Sequence, residues 1–281
     1  YMNKDQAQKS NLPIKRDLTP EYILSLVIVF LMAGASIAGI MYRDLIYPTD
    51  DLLRSFVPND VVNIFIGLPI LLASMWLARR GWLLGLLLWP GALFFVFYNY
   101  IIYVFAMPLN AAFFVHLALV ITSGYTLIAL ITSIDGKVVK KQLAGNVPER
   151  LAGGILIGLG LLFILRDIAV MFPAFTSHSA IPETELATYI SDILIAPAWV
   201  IGGVLLWRRR EFGYVAGLGL LFQGSMLFIG LIIFLLLQPL LTAAPFVLTD
   251  VVVILIMGLI CFIPFALFVR GLESKRDSSS I

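Results

Sequence analysis

Charged residues are scarce in this chain of 281 residues. Asp, Glu, Lys and Arg together make up 13%, whereas soluble domains carry about a quarter. Hydrophobic residues make up 60%, and the mean hydropathy is +0.99. The shortage of charge excludes an ordinary soluble domain and indicates a polytopic membrane protein.

Cysteine and histidine are nearly absent. The single cysteine, Cys261, excludes an intramolecular disulfide and any paired-cysteine metal or redox motif. The two histidines, His116 and His178, are too far apart in sequence to form a His-x-x-x-His zinc helix. The sequence also lacks a phosphate-binding loop and a dinucleotide fingerprint. We therefore predict no cofactor and no metal site.

Long uncharged runs define the fold class. A helix needs about 20 apolar residues to cross about 30 Å of hydrocarbon. The chain contains eight such runs, at about 22–42, 61–79, 82–105, 109–134, 150–173, 187–207, 212–237 and 248–270. The sequence thus predicts an all-α membrane bundle of eight transmembrane helices.

The basic residues predict the orientation of this bundle. Of the 19 Lys and Arg residues, all but Arg43, Arg54 and Arg166 fall at the same ends of the predicted spans. Basic residues near span ends stay on the cytoplasmic side. The tails 1–20 and 271–281 and the linker 135–149 are therefore predicted to be cytoplasmic, with the protein in the cell membrane. The basic face fits contact with membrane lipid and gives no reason to predict a nucleic-acid partner.

The chain resembles a tandem repeat of two four-helix halves, 21–134 and 150–270. The matched non-aliphatic positions are Arg43-Asp44 with Arg166-Asp167, Asn63 with Asp192, Arg79-Arg80 with Arg208-Arg209, and Gly81/Gly85 with Gly213/Gly217. Spans four and eight match poorly. Two halves with an even number of spans share one orientation, so a pseudo-twofold axis would run along the membrane normal. A site at the interface between the halves is the expectation.

Glycine pairs within the spans predict close helix contacts. In lipid, small residues let helix backbones approach each other, so Gly81/Gly85, Gly213/Gly217 and Gly154/Gly158 are interpreted as helix crossings. Contact between subunits of a homo-oligomer through the same glycine faces is the alternative.

Polar residues collect near the outer ends of the spans. With a rise of 1.5 Å per residue, they fall in one layer in the outer third of the membrane. The candidate site residues of this layer are Arg43, Asp44, Asn63, Asn99, His116, Arg166, Asp167 and Asp192. Intramembrane polar groups are costly unless paired or hydrated, which makes them candidates for a ligand site or pathway. The competing interpretation is a set of ordinary polar helix ends, with Arg166 and Asp192 forming a structural clasp.

Three functions remain open at this point. The leading hypothesis is a transporter or binding protein for a small solute, lipid or other amphiphile, with Arg166 suited to a carboxylate or phosphate head. The second is a non-catalytic membrane scaffold or sensor. The third is an intramembrane enzyme that uses His116 as general base beside Asp192 or Asp167. The loops 43–60 and 174–186 are predicted to cover the outer ends of the two halves.

Overall fold

The computed structural model describes residues 12–278, and the side chains of residues 12–274. The predicted cytoplasmic position of four basic residues concerns side chains outside this range, namely Lys4, Lys9, Lys275 and Arg276. Within the described residues, eight helices are long and apolar enough to cross a membrane. They are α1 Thr19–Met41, α2 Asp50–Arg79, α3 Leu83–Ala106, α4 Ala111–Ser133, α5 Glu149–Ser177, α6 Glu183–Trp207, α7 Glu211–Leu241 and α8 Leu248–Ser278. Over the described residues, the prediction of an all-helical fold with eight helices long and apolar enough to cross a membrane is confirmed.

The second helix begins far earlier than its apolar run. Thr49 precedes it, and the Thr49 hydroxyl oxygen accepts a hydrogen bond from the backbone N–H of Leu52 at 3.3 Å. Such a bond satisfies one of the free donors at a helix start. The segment was predicted to be a loop because it is rich in acids, but its apolar residues Leu52 and Phe56 are buried. A π-helical turn, Asn63–Gly67, interrupts α2.

The two predicted covering loops are therefore mostly helix. A short helix, Arg43–Ile46, and the start of α2 occupy residues 43–60. Helix α5 continues to Ser177 and α6 begins at Glu183, which leaves only 178–182 as a connection. The prediction of two long lids is wrong, because both segments extend the spans instead of crossing over them.

The turns after α2 and α6 have the same hydrogen bonds. Their donors are the backbone N–H groups of three successive residues in each turn, Arg80, Gly81 and Trp82 in the first and Arg208, Arg209 and Arg210 in the second. The acceptors are Trp76, Ala78 and Leu77 in the first turn and Val204, Leu206 and Leu205 in the second. The central residues are both left-handed, with φ of 79° at Gly81 and 53° at Arg209. We call the end of the bundle with these turns the basic end, and the opposite end the acidic end.

Buried acids join further segments at the basic end. Glu21, 1% exposed, accepts a hydrogen bond from Arg16, and the backbone N–H of Lys15 donates to the carbonyl of Ser133 at 2.8 Å. In the second half, Glu149 accepts a hydrogen bond from the hydroxyl of Tyr214 at 2.9 Å. These contacts fix the starts of α1 and α5 against neighbouring helices.

Helices α3 and α7 form the centre of the bundle. They pack against each other, α3 also packs against α6, and α7 also packs against α2. Their backbones nearly touch at one crossing, where a Cβ added to Gly91 would lie 2.2 Å from the carbonyl oxygen of Gly219. We call this contact the Gly91–Gly219 crossing. It joins the two predicted halves.

The predicted glycine pairs have different roles. A Cβ on Gly85 would lie 2.3 Å from the nitrogen of Ala78, and one on Gly213 would lie 2.3 Å from the nitrogen of Leu206. These two glycines therefore close the α2–α3 and α6–α7 hairpins. Gly81 instead lies in a turn, and Gly158 has open space beside it, so neither marks a crossing between helices of this chain.

Candidate functional site

Three charged residues and a tyrosine form one hydrogen-bonded group that spans α3, α5 and α6. Arg166 lies well inside α5, and its Nη2 is 2.7 Å from Asp192 Oδ2 on α6. Its Nε donates to Asp167 Oδ1 at 2.7 Å. The hydroxyl of Tyr98 on α3 donates to the other oxygen of Asp192 at 2.8 Å. We call these four residues the Arg166 cluster.

The two acids of the cluster are buried, whereas its arginine is partly exposed. The side chain of Asp167 is fully buried, that of Asp192 is 5% exposed, and that of Arg166 is 45% exposed. Within the described residues, Asp167 Oδ2 has no hydrogen-bond partner. The guanidinium also lies over the ring of Phe163, 4.8 Å from its centroid. The cluster therefore contains two carboxyl groups and one base.

A cavity of about 300 Å³ adjoins the Arg166 cluster. Residues of α2, α3, α5, α6 and α7 line it, so both predicted halves contribute. Polar groups such as Asn59, Thr188 and Asp192 lie along its wall. Its apolar surface includes the rings of Phe95 and Phe228. A polar wall beside an apolar interior suits a molecule with a polar head and an apolar body.

The cavity is closed toward the basic end. Trp199 lies at its floor, where its indole N–H donates to Gln223 Oε1 at 2.6 Å. One turn nearer the basic end along α3 and α7, the Gly91–Gly219 crossing brings the two backbones together. The lining of the cavity therefore ends near Trp199, and the backbone contact of the two central helices lies beyond it.

A second buried polar group lies in the first half. Asp60, 1% exposed, accepts hydrogen bonds from Tyr47 at 2.5 Å and from Tyr103 at 2.8 Å. The side-chain amides of Asn59 and Asn63 donate to the Tyr103 hydroxyl at 3.3 and 3.4 Å. We call these five residues the Asp60 cluster. Asn59 also lines the cavity, so the cluster borders the candidate site.

The sequence reasoning missed Asp60, Tyr47 and Tyr103. It assigned Asp60 to a solvated acidic loop, although Asp60 lies in α2. A usable signal was the spacing of Asn59, Asp60 and Asn63, since residues three or four apart share one face of a helix. Gly39 leaves room for this carboxyl group, because a Cβ there would lie 2.0 Å from Asp60 Oδ2.

The predicted site residues divide between the two clusters. Arg166, Asp167 and Asp192 meet directly, and Asn99 lines the adjoining cavity. Asn63 belongs to the Asp60 cluster instead.

His116 lies beside the Asp60 cluster, with its ring centroid 4.7 Å from that of Tyr103. It does not line the cavity, and its Nδ1 has no hydrogen-bond partner among the described residues. The structure therefore does not assemble a His116–Asp192 acid–base pair.

Arg43 and Asp44 do not join the predicted layer. Helix α1 ends at Met41, so both residues lie beyond it, whereas Arg166 and Asp167 lie inside α5. The Arg43 and Asp44 side chains are 53% and 85% exposed and are 3.9 Å apart. The two Arg-Asp motifs thus differ in position, because α1 ends before its motif whereas α5 continues past its own.

No family model, curated protein or solved structure matches this chain.

Proposed function

We propose that this multi-pass membrane protein binds a lipid-like amphiphile or small amphipathic solute in the cavity beside the Arg166 cluster. The observation that carries the proposal is the cavity itself, which combines a polar wall with an apolar interior at the meeting point of five helices. Its volume of about 300 Å³ is at the lower end of the range for ligand pockets, which favours one chain or one small molecule.

The proposed site lies between two repeat halves. The identical bonds of the turns at Arg80–Trp82 and Arg208–Arg210 support the repeat. So does the matched packing of Gly85 and Gly213 within their hairpins. Alignment of the two turns pairs Gly85 with Gly213. The sequence comparison instead pairs Gly81 with Gly213, which differs by one helical turn. Alignment of the turns also makes Gly91 and Gly219 equivalent, which is expected of a contact on a twofold axis.

We further propose that the acidic end is extracytoplasmic and the basic end cytoplasmic. The turns at the basic end carry Arg80 and Arg208, and the linker between the halves carries Lys140. Basic residues in short loops are retained in the cytoplasm. In this orientation the ligand enters from the outer leaflet or the extracytoplasmic medium.

The closed floor supports a carrier in an outward-facing state. A site open to one side and sealed on the other is half of an alternating-access cycle. Inward release would require α3 and α7 to separate at the Gly91–Gly219 crossing. Binding without transport needs no such movement, so occupancy of the cavity is the first property to measure.

The test is retention of a zwitterionic lysophosphatidylcholine by the purified protein in native mass spectrometry. Ile102 lines the cavity, and I102W places a large ring inside it. Ile121, 61% exposed on α4, supplies the matched control I121W. We expect the wild type and I121W to retain one more lysophosphatidylcholine than I102W. Equal retention by all three proteins would overturn the proposal.

A further inference from the structure

We infer that the ligand of this cavity is an amphiphile with a positively charged ammonium head. The inference rests on the proposed function and names the ligand class of the same site. It reverses the expectation from sequence, in which Arg166 recruits a carboxylate or phosphate. The reason lies in the charges around the cavity and in the bonds that Arg166 already makes.

Acids outnumber bases at the cavity. Its charged lining residues are Arg166, Asp192 and Glu185. Asp167, bonded to Arg166, adds a further carboxyl group. At the mouth, the lining residue Thr184 donates its hydroxyl hydrogen to Asp51 Oδ2 at 2.8 Å. The local field therefore attracts a cation and repels an anion.

Arg166 is already engaged by two carboxylates. Its Nε and Nη2 lie 2.7 Å from Asp167 Oδ1, and Nη2 also lies 2.7 Å from Asp192 Oδ2. A guanidinium has five N–H donors, so an anionic head could bind a remaining donor without displacing either acid. That head would then lie beside two carboxyl groups, which disfavour an anion. A cationic head meets no such repulsion from the two acids.

The other arginines at the acidic end line a different surface depression. Arg43 and Arg54 line a separate depression together with Asp44 and Asp50. Within the described residues, Arg166 is the only basic side chain among those that line the cavity. The one base that the cavity could offer a phosphate or sulfate is therefore already in contact with two acids.

Two carboxylates offer positions for the ammonium group. Glu185 is exposed at the mouth, and Asp192 lies about 10 Å deeper along α6, at 1.5 Å per residue. A carboxylate has about four acceptor positions, so Asp192 can accept an N–H bond from a primary ammonium beyond those from Tyr98 and Arg166, whereas it attracts a quaternary ammonium by charge alone. The head would lie between these acids.

Aromatic rings complete the proposed binding site. Tyr98 lines the cavity at the level of Asp192, beside the proposed position of the head, and Phe95 and Trp199 line the deeper part near the floor. Ring faces attract cations through their quadrupoles, and quaternary ammonium ligands are recognised in this way. The remaining apolar surface suits an alkyl chain. Charge, aromatic lining and apolar volume thus point to the same ligand class.

The test compares two probes that have the same tail and opposite charge. Thr188 lines the cavity, so a reporter cysteine is introduced there in T188C, on a C261A background that removes the native thiol. The protein is reconstituted in nanodiscs of zwitterionic lipid and labelled with a membrane-impermeant maleimide. We expect dodecyltrimethylammonium to slow the labelling at least ~5-fold and dodecyl phosphate to leave it within ~2-fold.

A second reporter controls for effects outside the cavity. Ser179 is exposed in the α5–α6 connection, and labelling of S179C on the same background should be unaffected by either probe. The variant E185Q should reduce protection by the cationic probe, because it removes the acid at the mouth without changing its shape. Glu185 is exposed and accepts only a 3.3 Å bond from Tyr189 among the described contacts, so folding should persist.

The outcomes separate this inference from the proposed function. Equal or stronger protection by dodecyl phosphate overturns the inference while the cavity remains an amphiphile site. Lack of protection by both probes, together with equal lysophosphatidylcholine retention by the wild type and I102W, overturns both. Protection by dodecyltrimethylammonium that persists unchanged in E185Q contradicts the role assigned to the acidic mouth.

Discussion

Arg166 of α5 and Asp192 of α6 lie 2.7 Å apart, whereas Arg43 and Asn63, which occupy corresponding places in the sequence, do not meet. Arg43 lies past the end of its helix, and Asn63 bonds to Tyr103 instead. The two predicted halves therefore differ in their polar chemistry. The ion pair belongs to the second half, and an acid bonded by tyrosines belongs to the first.

Removal of Arg166 should destabilise the protein far more than removal of Arg43. R166A leaves the buried Asp167 and Asp192 carboxylates without a cation, whereas Asp44 is already 85% exposed. Because Arg166 is itself 45% exposed, we expect a loss of about 1–3 kcal/mol for R166A and less than about 0.5 kcal/mol for R43A. Equilibrium unfolding in the same detergent measures both. Similar losses in the two variants would contradict the conclusion that Arg166, unlike Arg43, pairs with buried carboxylates.

The Gly91–Gly219 crossing should tolerate no side chain. In G91A the new methyl group would lie 2.2 Å from the carbonyl oxygen of Gly219, so α3 and α7 must move apart. We expect G91A to lower the unfolding free energy by about 1–3 kcal/mol. The control G158A places its methyl in open space and should be neutral or slightly stabilising. Equal stability of G91A and G158A in thermal unfolding would show that the backbones are not in contact.

Tyr103 should be needed to satisfy the buried Asp60 carboxylate. Y103F removes the donor to Asp60 Oδ1 and the acceptor used by Asn59. Loss of a partner at a buried polar group costs about 1–3 kcal/mol. Tyr125, 68% exposed on α4, supplies the matched control Y125F, which we expect to change stability by less than about 0.5 kcal/mol. Chemical denaturation of the two variants gives the comparison, and a neutral Y103F would rule out the proposed bonding of Asp60.

The two basic-end turns should respond in opposite ways to exchange of their central residues. Gly81 has a φ of 79°, so G81A forces a side chain into the left-handed region at a cost of about 1 kcal/mol. Arg209 already adopts this region, with a φ of 53°, so R209G relieves strain. That gain offsets loss of the 3.6 Å contact with the buried Glu149, which keeps its bonds from Tyr214 and from the backbone N–H of Gly145, and we expect R209G to be neutral or stabilising. Destabilisation by R209G comparable with that by G81A would contradict the shared turn geometry.

The sequence predicted the spans well because hydrophobic length is a local property. All eight helices appear, and the largest error is the start of α2, where helix initiation by Thr49 precedes an acidic segment. Hydropathy alone interprets such a segment as a loop. Its buried apolar face becomes evident only through packing against neighbouring helices.

The site was predictable only in part, because contacts between helices depend on rotation and depth. The pairing of Arg166 with Asp192 was an expectation from sequence, and the two side chains lie within hydrogen-bond distance. The exclusion of Arg43 depends on where α1 ends, which the repeated Arg-Asp motif does not reveal. The role of Tyr98, a donor to Asp192 from the other predicted half, depends on how α3 packs against α6.

The most direct measurement is photocrosslinking in nanodiscs with an alkyltrimethylammonium probe that carries a diazirine in its chain. Peptide mapping should place the main adducts on cavity residues of α3 and α7, such as Phe95, Ile102, Leu227 and Phe234. In I102W these adducts should fall at least ~5-fold, while those on I121W should remain as in the wild type. Adducts confined to exposed faces such as that of Ile121, with the same yield in I102W, would contradict the account.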